Sequence, residues 1–235
     1  MGLIEYNVTR RLDRIMDSQG DGSGTITQVV TAQSVSDATN ATPIVVTATS
    51  HGYSDGDFVH ITGVVGNTAC NDLHVVANKT SNTFELTTPA GADVAGNGSY
   101  SSGGAAHLCF VVKPAAGVTH CIHQLSGIAI DAGWTDDKYM NETALSNGIK
   151  LQVRQNTTVV NTLTATPAKI FVDWSLGAEP QIFGELQVNA AGSFTWQFDS
   201  CFVNLDGDAD EFLVVLHSDG LAIDDQWFSV HGEVL

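Results

Sequence analysis

Ile149-Lys150-Leu151-Gln152-Val153-Arg154 alternates apolar and polar residues without a break. A period of two sends Ile149, Leu151 and Val153 to one face of an extended strand and Lys150, Gln152 and Arg154 to the other, whereas a helix would mix the two sets. Phe194-Thr195-Trp196-Gln197-Phe198 alternates in the same way, and Phe228-Ser229-Val230-His231-Gly232-Glu233-Val234 is another one-sided strand. Phe212-Leu213-Val214-Val215-Leu216 is apolar throughout, the pattern of a central strand covered on both faces. Phe110-Val111-Val112, Ile122 to Ile130 and Ala168 to Trp174 add further strands, and no long helix interrupts them. Strands joined without helical crossovers pair antiparallel, so residues 105–235 are expected to form a jelly-roll-like antiparallel sandwich.

Upstream, residues 25–104 carry shorter strands. Ile44-Val45-Val46-Thr47-Ala48-Thr49 runs into the turn cluster His51-Gly52-Tyr53-Ser54-Asp55-Gly56-Asp57. Phe58-Val59-His60-Ile61, Leu73-His74-Val75-Val76-Ala77 and Thr83-Phe84-Glu85-Leu86-Thr87 follow, with a turn over Asn78 to Asn82. Turn signals at this spacing predict a small β-barrel or sandwich module. Pro89 to Gly104, rich in Gly and Ser, is expected to be an exposed connector. The first residues differ in kind. Ile4, Val8, Leu12, Ile15 and Met16 make one apolar stripe with Arg10, Arg11 and Arg14 off it, and the Gly-rich run 20–24 ends the pattern. So short a helix is marginal by itself in water and must lie against its own domain, a copy of itself or another protein; with three of the nine basic residues in it, a short N-terminal helical arm, residues 1–24, that contacts a partner is the favoured expectation. Its partner-binding residues would be Ile4, Val8, Leu12 and Ile15 with Arg10, Arg11 and Arg14. The expected fold class is all-β, with the arm, the small module and the sandwich in that order.

Composition narrows the function. The 235 residues hold 9 Lys+Arg against 26 Asp+Glu, a net charge of −17, which repels phosphate backbones and anionic lipid; no nucleic acid and no membrane are expected as partners. No apolar run is long enough to span a bilayer, and the charged start, with Glu5, Arg10, Arg11, Asp13 and Arg14, is not expected to act as a signal peptide. Cys70, Cys109, Cys121 and Cys201 are widely spaced with no Cys-x-x-Cys pair, and are expected to be buried reduced thiols.

Catalytic and cofactor chemistry finds little purchase. Asp206, Asp208 and Asp210 fall at alternate positions, as in the first half of a calcium loop, but the sixth position is Glu211 rather than Gly and the twelfth is His217 rather than Glu. An acidic turn that satisfies its own backbone is the expectation, with no metal. His120 and His123 sit three apart on a strand and point to opposite faces; His217 and His231 are single. Asp136/Asp137 and Asp224/Asp225 are adjacent in sequence and diverge on strands, poor geometry for a glycosidase pair. Trp134, Trp174, Phe194, Trp196, Phe198 and Trp227 would suit a sugar-binding face or, at strand spacing, a core. No nucleophile elbow or phosphate loop occurs, so no catalytic residue and no cofactor are expected.

Two stretches resemble known families. Thr42-Pro43-Ile44-Val45-Val46-Thr47-Ala48, His51 to Val59, Ile61-Thr62-Gly63-Val64, Val76-Ala77-Asn78 and Ser81 to Leu86 resemble the small β module named after the first catalytic-cysteine half-domain of ubiquitin-activating enzymes, a module widespread in tailed-bacteriophage structural proteins. The resemblance implies a structural unit without ubiquitin chemistry, and Cys70 is not carried over as catalytic. Lys113 to Gly117, Asp136 to Tyr139, Leu145 to Ile149 and Asp210 to Val215 are similar to the jelly roll of phage head-decoration (cement) proteins. That family's jelly roll can begin before the small module, which would make Thr42 to Gly104 an insertion. Together they imply a non-catalytic virion protein, assembled in the host cytoplasm as a homotrimer on the capsid surface, with the major capsid protein or other virion proteins as partners. A tail, baseplate or adaptor component that binds host glycan is the alternative, and a glycan-active jelly-roll enzyme a third.

Overall fold

The structure, a computed structural model, describes residues 32–129, 149–165, 175–176, 179–180, 184–189, 193–198, 203–217 and 226–234, and side chains within 32–122, 151–160 and 203–216. The arm residues Ile4, Val8, Leu12, Ile15, Arg10, Arg11 and Arg14 lie outside the described residues. The described chain is all-β and antiparallel, as the alternating patterns require.

Seven strands form the first sheet: β1 (Gln33–Ser34), β2 (Asp37–Ala38), β3 (Val45–Thr47), β4 (Phe58–Thr62), β5 (Leu73–Ala77), β6 (Thr83–Thr87) and β7 (Ala105–Leu108), in the order β1-β7-β4-β5-β6-β3-β2. Its two edge strands are consecutive in the chain with only Val35 and Ser36 between them. A two-residue link reaches no more than about 7 Å per pair of residues, so the sheet must curl until its edges meet. The Val35 N–H bonds the Gly104 carbonyl at 3.0 Å on one side and the Ser36 N–H bonds that of Thr47 at 2.9 Å on the other, which closes a small barrel. Inside lie Val46, Val59, Ile61, Val76, Phe84 and Leu86, the inward positions of each alternating strand.

The barrel extends past residue 104, because β7 pairs with both β4 and β1. Pro89 to Gly104 is largely exposed, as expected, but it is more than a connector. Val94 and Tyr100 pack on the barrel core, Ile44 and Leu86 exchange backbone bonds with Val94, and the Tyr100 hydroxyl donates to the Val35 carbonyl at 3.0 Å. Its glycines let backbones touch: at Gly103, with φ +74°, a Cβ would collide with the Gly63 carbonyl, and at Gly66 on the facing segment with the Ser99 carbonyl. Asn67, fully buried, ties the flap down through a bond from Nδ2 to the Thr39 carbonyl at 2.9 Å and one from the Asn97 N–H to Oδ1 at 3.1 Å.

The remaining strands are β8 (Phe110–Val112), β9 (Thr119–Ala129), β10 (Ile149–Gln155), β11 (Thr158–Ala165), β12 (Ser175–Leu176), β13 (Glu179–Pro180), β14 (Gly184–Asn189), β15 (Ser193–Phe198), β16 (Val203–Asp206), β17 (Glu211–His217) and β18 (Gln226–Val234). A four-stranded sheet runs β11-β10-β17-β8, and a five-stranded one runs β14-β15-β9-β16 with β18 on the other edge of β9; β12 and β13 make a short ribbon. The chain crosses from the four-stranded to the five-stranded sheet between β8 and β9 and back between β16 and β17, the connectivity of a sandwich. As its apolar run requires, β17 is central and buried throughout Phe212 to Leu216.

Cys121 corrects the expectation of reduced thiols: it is disulfide-bonded, while Cys70 and Cys109 are free. Spacing in sequence hides this pairing. Antiparallel register places Val203, two residues beyond Cys201, opposite Ile122, next to Cys121; Cys201 itself lies outside the described residues. In denaturant without reductant, half of the four cysteine sulfurs are expected to react with a thiol reagent, and all after reduction. Four reactive thiols before reduction would refute the bond.

Candidate functional site

The polar face of the opening stretch does not look into water. In the register of β10 and β17, Gln152 lies opposite Val214 and Arg154 opposite Phe212. Directly opposed residues share a face, and Phe212, Val214 and Leu216 pack against Leu73 and Phe58 of the barrel. The face carrying Gln152 and Arg154 is therefore turned toward the outer side of the barrel wall. This seam between barrel and sandwich brings together polar and charged side chains from both.

At its centre the Arg154 guanidinium, with its side chain 6% exposed, contacts Asp72 Oδ1 at 2.8 Å and donates to Gln152 Oε1 at 2.8 Å. Burial alone would raise the Asp72 carboxyl, but hydrogen bonds from Arg154 and the Leu73 N–H, with the Arg154 charge, hold it below the ordinary carboxylate value. Phe58 and Phe212 meet with ring centroids 5.4 Å apart, and the Lys113 ammonium lies 5.8 Å from the Phe212 ring. His60 on β4 is directly opposite His107 on β7, which is fully buried. His74 is also buried. Its Nε2 lies 3.0 Å from the Cys70 carbonyl and so carries the proton, and burial lowers its affinity for a second one.

Sequence reasoning found none of these partners, because each pair is far apart in the chain. Polar residues on an alternating strand are ordinarily the solvent face; an arginine there gives no sign that a carboxylate 82 positions away will meet it. The free thiols at this end are not nucleophiles. Burial pushes Cys70 up to about 11 and Cys109 up to about 12, so both are protonated at neutral pH.

The acidic turn is a strut. The Asp208 N–H donates to Asp206 Oδ1 at 2.9 Å and the Asp206 N–H to Glu211 Oε2 at 3.0 Å, the self-satisfied turn expected from Asp and Gly. Its remaining carboxylates reach the other crossing loop: Gly117 N–H donates to Asp208 Oδ1 at 2.7 Å, and Lys113 Nζ pairs with Asp210 Oδ1 at 2.8 Å. A Cβ at Gly207 would collide with the Ala115 carbonyl, so the two loops that carry the chain between sheets are pressed together. Among the described residues, no group of three or more His, Cys, Asp or Glu side chains is placed to hold a metal ion. Asp136, Asp137, Asp224 and Asp225, and the side chains of His123, His217, His231, Trp134, Trp174, Phe194, Trp196, Phe198 and Trp227, lie outside those described.

The turn His51 to Asp57, packed on the barrel core, is a second cluster. The Tyr53 N–H donates to His51 Nδ1 at 3.0 Å, the Tyr53 hydroxyl donates to the Ala106 carbonyl at 2.9 Å, and both rings pack on Phe84 at 5.1 and 5.5 Å. Asp57 Oδ2 accepts the Ser54 N–H at 2.7 Å, yet burial pushes its carboxyl up to about 6. The folded protein therefore binds a proton there between about pH 6 and the ordinary value of 3.8, and gains stability as pH falls through that window. Asp57→Asn is expected to stabilise the protein at neutral pH, with the advantage shrinking toward pH 4; thermal melts of the two proteins across this range would show it. A constant difference would assign the effect to something other than the charge.

No family model matches this chain, and a search of curated proteins finds none similar to it.

Proposed function

We propose that the chain is a non-catalytic structural protein of a tailed-phage particle that decorates and cements the capsid shell, bridging neighbouring shell subunits as a homotrimer. The observation that supports this reading is the use to which its reactive side chains are put. Arg154 and Asp72 fasten sandwich to barrel, Asp206, Asp208, Asp210 and Lys113 brace the crossing loops, and His51 and Tyr53 cap the barrel core. Such bracing suits a part that transmits load. The resemblance of Thr42 to Leu86 and of the later segments to phage modules adds to it. On this reading the basic arm, through Arg10, Arg11 and Arg14, engages a neighbouring acidic subunit, and the apolar stripe Ile4, Val8, Leu12 and Ile15 adds area.

Light scattering of the purified chain is expected to give about three times the 24.8 kDa chain mass. Mixed with purified phage heads, the protein should bind at a copy number comparable to the shell subunit, and a variant with Arg10, Arg11 and Arg14 changed to Glu should bind far less. A monomer that ignores heads overturns the proposal. Binding to tails at a few copies per particle identifies the tail or adaptor component instead.

A further inference from the structure

Asn97-Gly98, on the flap that runs from Pro89 to Gly104, is the kind of step at which a polypeptide modifies itself. The amide nitrogen of the following residue attacks the asparagine carboxamide carbon, and a glycine there brings no Cβ to shield that nitrogen. The bond from Cγ to Nδ2 breaks, ammonia leaves with the amide proton, and a cyclic imide remains. Water then adds to one of its two carbonyls and opens the ring to aspartate, or to isoaspartate, whose main chain runs through the side-chain carbons. In the folded protein both ends of the Asn97 carboxamide are held. Oδ1 accepts the Ala69 N–H at 3.0 Å, and Nδ2 donates to Thr68 Oγ1 at 2.9 Å. The main chain is held as well: the Asn97 N–H donates to Oδ1 of the buried Asn67 at 3.1 Å, and the Gly96 N–H to the Ala41 carbonyl at 2.8 Å. Gly98 lies so near Gly66 that a Cβ on it would stand 2.6 Å from the Gly66 carbonyl oxygen. Ring closure has to bring the carboxamide carbon onto the Gly98 nitrogen, make it tetrahedral and expel Nδ2 from Thr68. Each of these movements breaks a contact of the closed flap. Asn97 is exposed, so water and base reach it as soon as the contacts part.

We propose that Asn97-Gly98 is a latent self-modification site: the closed flap suppresses its deamidation, opening of the flap releases it, and the isoaspartyl product keeps the flap from closing again. The two products differ in what they allow. An aspartate at 97 accepts the Ala69 N–H as the carboxamide did, and the Thr68 hydroxyl turns to donate to it. Isoaspartate adds a backbone atom between residues 97 and 98, while Gly96 and Ser101 on either side are fixed by bonds to the Ala41 and Val65 carbonyls. The contact between Gly98 and Gly66 leaves no room for the longer chain. The flap also carries Tyr100, whose hydroxyl donates to the Val35 carbonyl where the barrel edges meet. Conversion to isoaspartate is therefore a one-way change in how the barrel is closed. The site is a property of the chain alone and stands or falls apart from the virion reading.

The full chain is kept in mildly alkaline buffer, folded and, in parallel, unfolded in guanidinium chloride. Conversion at residue 97 is followed by peptide mass, and the aspartyl and isoaspartyl peptides are separated by chromatography. Folding is expected to slow conversion at Asn97 by at least about tenfold, because the reaction then waits on the open fraction of the flap. Thr68→Val, at an exposed position, removes the bond to Nδ2 and should raise the folded-state rate about fivefold with the unfolded rate unchanged. In aged protein that contains isoaspartate, the Val94, Gly96 and Ser101 amide hydrogens, bonded to Leu86, Ala41 and Val65, should exchange at least about tenfold faster than in fresh protein. Those of the central strand β17 should keep their rate. Equal conversion in the folded and unfolded chain overturns the proposal. So does an unchanged rate in T68V, or flap exchange that isoaspartate leaves unaltered. Should T68V fold poorly, the folded-to-unfolded ratio and the exchange of the aged, unaltered sequence decide by themselves.

Discussion

Phe212→Ala is expected to cost about 3–5 kcal/mol in a denaturant titration and to open the seam before anything else. Phe212 is fully buried and packs with Leu73, Cys109, Val214 and Leu216, with the Phe58 ring against it and the Lys113 ammonium over it. Truncation removes a large apolar group and leaves a cavity between two sheets, whose strands are held by backbone ladders and cannot slide inward to fill it. Phe84→Ala deletes the same side chain from the barrel core, where it meets His51 and Tyr53 edge-on, and should cost a similar amount. Location separates the two variants. F212A should expose the Cys109 thiol with Cys70 still protected, whereas F84A should expose both. A loss below about 1 kcal/mol for F212A would mean that the seam collapses around the gap and that barrel and sandwich are not rigidly packed.

The fold was legible where side-chain period alone decides it. Leu151 and Val153 face inward and are buried, and the apolar run of β17 is central, because burial of one face or of both is written directly into alternation. The turn His51 to Asp57 was legible too, since Gly56 at φ +93° adopts a conformation few other residues tolerate. What alternation does not encode is which polar face will be covered. Arg154 looks like a solvent residue on its own strand and becomes a buried one only when the barrel wall arrives with Asp72. Gly103 and Gly104 look like a linker, yet close contact with Gly63, Val64 and Val35 makes them part of a packed flap. The His60–His107 pair is a register fact, fixed by strand pairing that no local pattern contains.

Asp72→Ala and Arg154→Met remove the same ion pair, and the first is expected to be much the more costly. Exposure decides the asymmetry: the Asp72 side chain is 45% exposed and that of Arg154 6%. With the carboxylate gone, the guanidinium stays buried with its hydrogen bond to Gln152 at 2.8 Å, and a cation without a counter-charge inside a packed seam costs about 2–4 kcal/mol. With the guanidinium gone, Asp72 hydrates and still accepts the Leu73 N–H at 2.7 Å, while methionine fills the channel left by the arginine stem. That loss should be about 1 kcal/mol or less. The pH dependence checks the assignment. Because Asp72 titrates below its ordinary value of 3.8 in the folded state, its contribution is complete above that value and is lost as pH falls through the folded one. The gap between wild type and D72A should therefore hold from neutral pH down to about 4 and close only in stronger acid. Equal losses for D72A and R154M, or a gap that closes near pH 6, would place the stabilising charge elsewhere in the seam.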